Sequence, residues 1–148
     1  MKEIERKFLV NRALFPKCGP AVIMKQGYLS VDPDRTVRIR REGGQAWITV
    51  KGKAEGITRP EFEYSIPVAD AEEMFRLALY HPVEKIRHRL NVEGTHWEVD
   101  EFLGANRGLL LAEVELKDEF QPFSHPEWLG DEVTGDCRYF NSQLTQKP

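Results

Sequence analysis

The feature that most constrains this fold is an alternation of charged and apolar residues that runs through most of the chain. In the first ten residues, Glu3, Glu5 and Lys7 fall on one face of an extended strand, and Ile4 and Phe8 fall on the other. A half-buried strand normally turns its apolar face to the core and its polar face to water. The same alternation recurs in nearly every later strand candidate, and acidic and basic residues share the charged face. The pattern suggests that the charged faces of several strands meet around a shared polar interior.

The composition indicates one globular domain that spans residues 1–148, with 41% hydrophobic and 30% charged residues. The net charge of −3 predicts no overall attraction to nucleic acid, so any basic site must be local. Cys18 and Cys137 form neither a metal-binding spacing nor a CxxC motif, which favours a reducing compartment. No apolar run resembles a signal peptide or a membrane span, so we expect a cytoplasmic protein without a membrane partner.

Turn signals divide the chain into short segments with the alternation of strands. Gly43-Gly44 and Glu93-Gly94 each predict a tight hairpin between two of them. Together they favour an α+β domain rich in antiparallel hairpins. The predicted strands cover residues 1–10, 21–30, 35–42, 46–53, 58–66, 83–92, 95–103 and 109–116.

Two segments have helical patterns instead. Over 70–81, apolar residues recur at helical spacing, Asp70 and Glu73 resemble a capping box, and Pro82 ends the segment. A second helical segment is expected over about 136–144. These helices and the tail are candidates to cover the apolar faces of the strands from outside.

The charged faces offer two interpretations. They are either solvated sheet surfaces with weak cross-strand ion pairs, or walls of a polar channel that holds a polyanion and metal ions. In the second case, Arg and Lys match phosphate oxygens, and carboxylates bind a hard divalent cation. The acidic set is Glu3, Glu5, Glu61, Glu63, Glu98, Asp100, Glu113 and Glu115, and the basic set is Lys7, Arg38, Arg40, Lys51, Lys53, Lys85, Arg87 and Arg89.

Several blocks of sequence resemble one family, the CYTH superfamily, which is also called the triphosphate tunnel metalloenzymes. The chain is most similar to its small bacterial single-domain members. The first block, Glu3-Ile4-Glu5-Arg6-Lys7, matches the ExExK signature, and further blocks follow in the same order over essentially the whole chain. They are residues 26–30 (QGYLS), 36–40 (TVRIR), 49–52 (TVKG), 61–64 (EFEY), 112–116 (AEVEL) and 132–141 (EVTGDCRYFN).

The resemblance implies an eight-stranded antiparallel β-barrel that forms a tunnel, with a few flanking helices. It also implies a small-molecule triphosphate substrate and dependence on Mg²⁺ or Mn²⁺. The implied metal ligands are Glu3, Glu5, Glu113 and Glu115, with Glu61 and Glu63 on the acidic side. The implied phosphate ligands are Lys7, Arg38, Arg40, Lys51, Lys85 and Arg87, with Arg138 closing one end of the tunnel.

The general base is not evident from the resemblance. Lys85 lies in a basic cluster, which would lower its pKa. Tyr28 falls on the same face as Gln26 and Ser30, and its phenol could be activated by a nearby lysine. We therefore take Lys85 and Tyr28 as a hypothetical catalytic pair.

The preferred function is metal-dependent hydrolysis of inorganic tripolyphosphate to pyrophosphate and phosphate. Thiamine triphosphate or nucleoside triphosphate hydrolysis, and cyclisation of ATP, stay open as alternatives. A non-catalytic module that binds polyphosphate or nucleotide is an alternative of another class. Nucleic acid is not expected as a partner, and the oligomeric state stays open, a homodimer included.

Overall fold

Antiparallel strands make up most of the architecture. The computed structural model describes residues 2–17 and 19–146, so Met1, Cys18, Lys147 and Pro148 lie outside the described residues. The strands are β1 (Lys2–Val10), β2 (Ala21–Ser30), β3 (Arg35–Glu42), β4 (Gln45–Gly52), β5 (Thr58–Ile66), β6 (Val83–Val92), β7 (Thr95–Phe102), β8 (Leu110–Glu115) and β9 (Leu129–Glu132). The helices are α1 (Val68–Phe75), α2 (Asn141–Leu144) and two short 3₁₀ helices, Gly104–Asn106 and Cys137–Tyr139.

Strand β1 closes the sheet into a barrel because it pairs on both sides. The strands follow one another in the order β5-β4-β3-β2-β6-β7-β8-β1. At its start, β1 pairs with β5, with Ile4 opposite Thr58. Further along, it pairs with β8, with Lys7 opposite Glu113. The predicted eight-stranded antiparallel barrel is thus confirmed.

A ninth strand, β9, lies outside this ring and was missed by the sequence analysis. Phe8 pairs with Ala112 of β8 and also with Glu132 of β9, so β9 lies on the edge of β1 opposite β8. This is the same edge of β1 that pairs with β5, and β9 occupies it further along the strand. The segment LGDE has no apolar alternation, so its strand conformation depends on the free edge of β1 rather than on its own sequence.

Helix α1 covers the outside of β3 and β4. Ala71 and Phe75 pack against Ile39 and Ala46 on the apolar faces of these strands. The helix begins at Val68, after Pro67 as N-cap, and no side chain caps it. The predicted capping box at Asp70 is therefore wrong, because the fixed backbone of Pro67 starts the helix two residues earlier.

The same helix also ends earlier than the predicted residue 81. Its last residue is Phe75, and the backbone N–H of Leu79 donates to the carbonyl of Tyr28 at 2.9 Å. This bond draws the chain towards β2. The amphipathic pattern beyond Phe75 does not form a further turn of α1.

An aromatic cluster covers the opposite side of the barrel. Trp97 of β7 packs edge-on against Phe8 of β1 and Trp128 of the tail, with ring centroids 5.7 and 5.6 Å away. Phe15, in the turn after β1, contacts Trp128 at 5.4 Å. The apolar strand faces therefore point outward and are covered, which leaves the charged faces for the interior.

The C-terminal segment closes part of one barrel end. Val83, Phe102 and Leu111 form a buried cluster with Val133 and Leu144 of the tail. Each of the three strand residues lies on the same face of its strand as the charged residues. This cluster therefore continues the interior face of β6, β7 and β8. The tail is thus part of the wall of the interior.

Candidate active site

A cavity of about 140 Å³ lies inside the barrel, and seven of the sixteen charged side chains that the sequence pattern placed together line it. Five of the charged residues that line it are Glu3, Glu5, Lys7, Lys51 and Arg87. The remaining lining residues come from β2, β3, the β4–β5 connection, β5, β8 and the tail. They are Tyr28, Thr36, Arg38, Ala54, Gly56, Ile57, Arg59, Glu113, Thr134, Gly135, Phe140, Asn141 and Ser142.

A second cavity, of about 480 Å³, adjoins the first. Glu5 and Glu113 line both cavities, and Glu98, Glu115 and Arg89 line the second. The polar interior therefore continues past Glu5 and Glu113 towards the other end of the barrel.

Cations and carboxylates from different strands pair at the cavity wall. Lys51 Nζ lies 2.8 Å from Glu3 Oε2 and 3.5 Å from Glu61 Oε2. Lys7 Nζ lies 3.5 Å from Glu113 Oε1. These side chains are mostly shielded from water, so salt and solvent screen the attraction between them less than in a surface ion pair. The interior is thus a charged lining and not a solvated sheet surface.

Lys85, Arg87 and Asp100 form the most deeply buried ionic cluster. Asp100 Oδ2 lies 2.7 Å from Lys85 Nζ, and its Oδ1 accepts a hydrogen bond from Arg87 Nε at 2.8 Å. Burial alone would raise the pKa of Asp100, but Arg87 and Lys85 outweigh it and lower the pKa well below its usual range. Burial lowers the pKa of Lys85 to about 8, against the attraction of Asp100.

The other carboxylates of the interior divide into two groups. Desolvation, the neighbouring Glu113 and then Glu3 raise the pKa of Glu5 well above its usual range. Burial and Glu61 raise the pKa of Glu3 to about 7. Glu113 also loses solvation, yet Lys7 and Arg87 lower its pKa to about 2. The ionised forms of Glu3 and Glu5 are therefore disfavoured, because the nearby cations offset desolvation and carboxylate repulsion only in part.

The donor chemistry of this acidic side fits a hard divalent cation. Within residues 2–17 and 19–146, no three His, Cys, Asp or Glu side chains are gathered at metal-ligand spacing. However, the carboxylates of Glu3, Glu5 and Glu113 all line one cavity, supply only oxygen ligands and repel one another. A divalent cation between them would relieve that repulsion.

The two residues of the hypothetical catalytic pair make separate contacts. Tyr28 is buried in the cavity wall, where desolvation raises the pKa of its phenol although the positive charge of Arg38 opposes the rise. Lys85 Nζ bonds Asp100 and, at 3.0 Å, Asn141 Oδ1 of α2. Among the described residues, none of its hydrogen bonds goes to Tyr28, and the pairing stays a prediction.

Lys85, Glu61 and Glu115 also lie outside the first cavity lining, and so do three further predicted site residues, Arg40, Glu63 and Arg138. Arg40 packs over the ring of Trp47 at 4.6 Å and lies 3.5 Å from Glu63 Oε1. Glu63 also accepts a hydrogen bond from Thr49 Oγ1 at 2.8 Å. Arg138 is 76% exposed and bonds Asp136, so its side chain faces solvent here. The roles assigned to all three stay predictions.

Arg59 was missed by the sequence analysis although it lines the cavity. It shares the parity of Glu61 and Glu63 on β5, which was the available signal. Its guanidinium donates only to neutral acceptors, the carbonyls of Gly52 and Pro33 and the hydroxyl of Thr36. Within the described residues, no carboxylate lies within 4.0 Å of it, so its positive charge is uncompensated.

The fold and the site define a class of protein in which a closed antiparallel barrel encloses opposed rows of carboxylates and cations. The CYTH domain model matches residues 1–146, and the chain belongs to this family. The family is metal-dependent in general. In the described part of the chain, every helix is too short or too polar to cross a membrane.

Two relatives and one solved structure place the chain within the family. An inorganic triphosphatase of Acetivibrio thermocellus is 47% identical over 148 residues, which cover 99% of this chain and 95% of the relative. An inorganic triphosphatase of Nitrosomonas europaea is 40% identical and covers 97% of both chains. The crystal structure of the inorganic triphosphatase NE1496 is similar with a TM-score of 0.71 and 36% identity, over 99% of this chain and 95% of that one.

Proposed function

We propose that this chain is a metal-dependent inorganic triphosphatase that hydrolyses tripolyphosphate to pyrophosphate and phosphate. The observation that carries the proposal is one interior cavity in which Lys7, Lys51, Arg38 and Arg87 lie beside the carboxylate of Glu5. The names of the two relatives support the choice of an inorganic substrate.

The basic side chains would hold the substrate. Phosphoryl transfer depends mainly on positioning and on neutralising charge, and a linear triphosphate presents oxyanions along its whole length. Arg38 and Arg87 would grip phosphate oxygens with their planar guanidinium groups, and Lys7 and Lys51 would act as point charges. The full proposed set is Lys7, Arg38, Arg40, Lys51, Lys85 and Arg87, with Arg138 near one end.

The carboxylates would hold Mg²⁺ or Mn²⁺. Such a cation would neutralise phosphate charge and supply an activated water for the attack. Glu3 and Glu5 suit this role because their pKa values are raised without a metal, so binding a cation favours their ionised form. The proposed ligands are Glu3, Glu5, Glu113 and Glu115, with Glu61 and Glu63 on the same acidic side.

For the general base we keep the Lys85 and Tyr28 hypothesis. The lowered pKa of Lys85, about 8, makes a neutral amine accessible near physiological pH. Tyr28 reaches the same cavity as the proposed phosphate ligands. A Tyr28→Phe enzyme should lose most of its kcat with little change in KM, whereas full turnover of that variant with Mg²⁺ would remove Tyr28 from the mechanism.

The proposal also includes a cellular setting. We place the activity in the cytoplasm, with a small-molecule triphosphate as its partner. Cytoplasmic location and a homodimeric state stay predictions from the sequence.

The decisive experiment measures phosphate release from tripolyphosphate, thiamine triphosphate, ATP and pyrophosphate, each with Mg²⁺, Mn²⁺ or EDTA. We expect tripolyphosphate to give the highest kcat/KM, and EDTA to abolish release. Absence of metal-dependent hydrolysis of all four would overturn the proposal, and a preference for ATP would overturn the substrate.

A matched pair of variants ties that activity to the cavity. Lys51 lines the cavity beside Glu3, whereas Lys53 lies two residues further along and is exposed. Lys51→Met should lower kcat/KM strongly, while Lys53→Met should leave it near the wild-type value. Equal losses in the two variants would mean that general surface charge, and not the cavity, binds the substrate.

A further inference from the structure

Gln26 has a buried amide group without a partner. Its side chain is 0% exposed, and neither Nε2 nor Oε1 makes a hydrogen bond within the described residues. An amide can donate two hydrogen bonds and accept two, and each buried polar group that stays unpaired lowers stability. Because this residue is fully buried and wholly unpaired, a ligand is the expected partner of its amide.

The local strand geometry directs Gln26 into the barrel. A Cβ added to the next residue, Gly27, would lie 2.9 Å from Phe75 of α1, so that position faces the outer side. Successive residues of a strand alternate between faces, so Gln26 faces the interior with Tyr28. Tyr28 and Arg38 line the first cavity, whereas Gln26 and Arg40 lie on the same strands outside its lining. Gln26 also lies directly opposite Arg40 of β3.

Two other N–H donors nearby are also buried and unpaired. The Nε atoms of Arg38 and Arg40 have no hydrogen-bond acceptor within the described residues. Glu63 approaches the Nη2 atoms instead: its Oε2 lies 3.6 Å from Arg38 Nη2, and its Oε1 lies 3.5 Å from Arg40 Nη2. Opposing residues on paired strands are neighbours, so β2 and β3 bring three unpaired donors to one region of the wall.

Among the described residues, the unpaired donor atoms of this region, Gln26 Nε2 and the Nε atoms of Arg38 and Arg40, outnumber its unpaired acceptor, Gln26 Oε1. An oxyanion supplies the missing acceptors. A water molecule brings two donors of its own and a cation brings no acceptor, so neither matches three N–H groups as well. A phosphate oxygen accepts several hydrogen bonds, and those to a charged group are stronger than neutral ones.

We infer that Gln26 is a substrate-contacting residue whose amide N–H donates to a phosphate oxygen of tripolyphosphate, beside the Nε–H groups of Arg38 and Arg40. The inference rests on the proposed function, since it assigns one further ligand to the same substrate. It adds an uncharged donor to the site. Such a donor orients a phosphate group without adding to the repulsion among the cations.

The test compares binding with stability in Gln26→Met, which keeps the length of the side chain and removes its polar atoms. Loss of one hydrogen bond to a charged group corresponds to a roughly tenfold to hundredfold weaker affinity. We expect that loss for tripolyphosphate in isothermal titration with EDTA present, and a matching loss of kcat/KM with Mg²⁺. The melting temperature should stay unchanged or rise, because an unpaired buried amide has been removed.

Two further variants make the outcome decisive. Gln45 is exposed at the start of β4, so Gln45→Met controls for the substitution itself and should bind like wild type. Gln26→Glu replaces the donor with an anionic acceptor and should weaken affinity more than Gln26→Met. It also provides the comparison if Gln26→Met does not fold.

The possible results separate the two proposals. If wild type binds tripolyphosphate and Gln26→Met binds it equally well, the role of Gln26 is wrong and the proposed function stands. If Gln26→Met melts at a lower temperature and its folded fraction binds normally, Gln26 is structural, which also overturns the inference. If wild type neither binds nor hydrolyses tripolyphosphate, the proposed function itself fails.

Discussion

At the scale of single residues, the interior carboxylates differ in how well the protein compensates their charge. Asp100 and Glu113 lie beside cations that lower their pKa values. Glu3 and Glu5 have raised pKa values because desolvation and neighbouring carboxylates outweigh the attraction of Lys51. The first group should stabilise the folded protein at neutral pH, and the second group should destabilise it when no cation is bound.

Glu3→Gln should therefore stabilise the metal-free protein. The pKa of Glu3 is raised from 4.5 to about 7, so the folded state binds more protons between these values and stability falls as the pH rises through that window. The shift corresponds to at most about 3 kcal/mol of lost stability above pH 7. Urea titrations in EDTA measure the free energy of unfolding. Between about pH 5 and pH 8 it should fall in wild type and change much less in Glu3→Gln.

The same variant should respond less to metal. Added Mg²⁺ or Mn²⁺ should raise the melting temperature of wild type, because a cation that binds only the folded state stabilises it. Glu3→Gln should show a smaller rise. If Glu3→Gln is less stable than wild type at pH 8 in EDTA, the ion pair with Lys51 outweighs the desolvation of Glu3, and the assignment is wrong.

Asp100 belongs to the compensated group, and its loss should have the opposite effect. Asp100→Asn leaves Lys85 and Arg87 buried without their shared carboxylate, which should destabilise the protein by about 3–5 kcal/mol. The double variant Lys85→Met/Asp100→Asn should recover part of that loss in urea unfolding at pH 7. Strict additivity of the two single substitutions would mean that the ion pair carries no coupling energy.

At the scale of elements, the C-terminal segment has two functions in the fold. Leu144 packs into the buried cluster with Val83 and Phe102, while Phe140 and Asn141 line the cavity. Asn141 Oδ1 also accepts a hydrogen bond from Lys85 Nζ. Packing of α2 therefore sets the position of the groups that border the substrate.

Leu144→Ala should lower both stability and substrate affinity. Removing a buried leucine side chain costs about 2–5 kcal/mol, depending on how far the site collapses. The urea midpoint should fall accordingly, and KM for tripolyphosphate should rise because α2 loosens. Leu77→Ala is the matched control, since Leu77 is 71% exposed and its truncation should change stability by less than about 0.5 kcal/mol.

If Leu144→Ala lowers the urea midpoint and leaves KM unchanged, the tail closes the barrel without positioning the site. That result would separate the structural contribution of α2 from its contribution to binding.

At the scale of the whole molecule, a protein of net charge −3 is proposed to bind a polyanion. The attraction must therefore come from the local field of the barrel interior, where cations are collected and partly shielded from water. Most of those cations have carboxylate partners, but Arg59 at the cavity wall has only neutral acceptors. It should contribute a large part of the long-range attraction of the site.

Arg59→Gln should raise KM for tripolyphosphate by on the order of tenfold, the range for a lost charge-assisted hydrogen bond. The decline of kcat/KM with ionic strength should also become shallower, because one interacting charge is gone. Arg35→Gln is the control, since Arg35 is 71% exposed and already pairs with Asp32. Identical salt dependence in wild type and Arg59→Gln would exclude an electrostatic role for Arg59.

Much of the architecture follows from local periodicity, and so it was predictable from the sequence. A two-residue repeat places Glu3, Glu5 and Lys7 on one face wherever β1 lies, and the hairpin signals join neighbouring strands without reference to the rest of the fold. The strand β9 and the true start of α1 were not predictable in this way. Strand β9 depends on an edge of β1, and α1 depends on the backbone of Pro67.

The sequence by itself determined that most strands would carry a charged face with both signs of charge, because side-chain alternation is a property of each strand alone. The eight-stranded barrel was implied by the family resemblance. Only the tertiary structure decided which charges meet, since pairing across the barrel depends on strand register and closure. Lys51 meets Glu3 across 48 residues of sequence, Lys85 meets Asp100 instead of Tyr28, and Arg138 turns to solvent. Closure also placed Gln26 on the interior face and Arg59 in the cavity wall, and only Arg59 shares its strand face with charged residues.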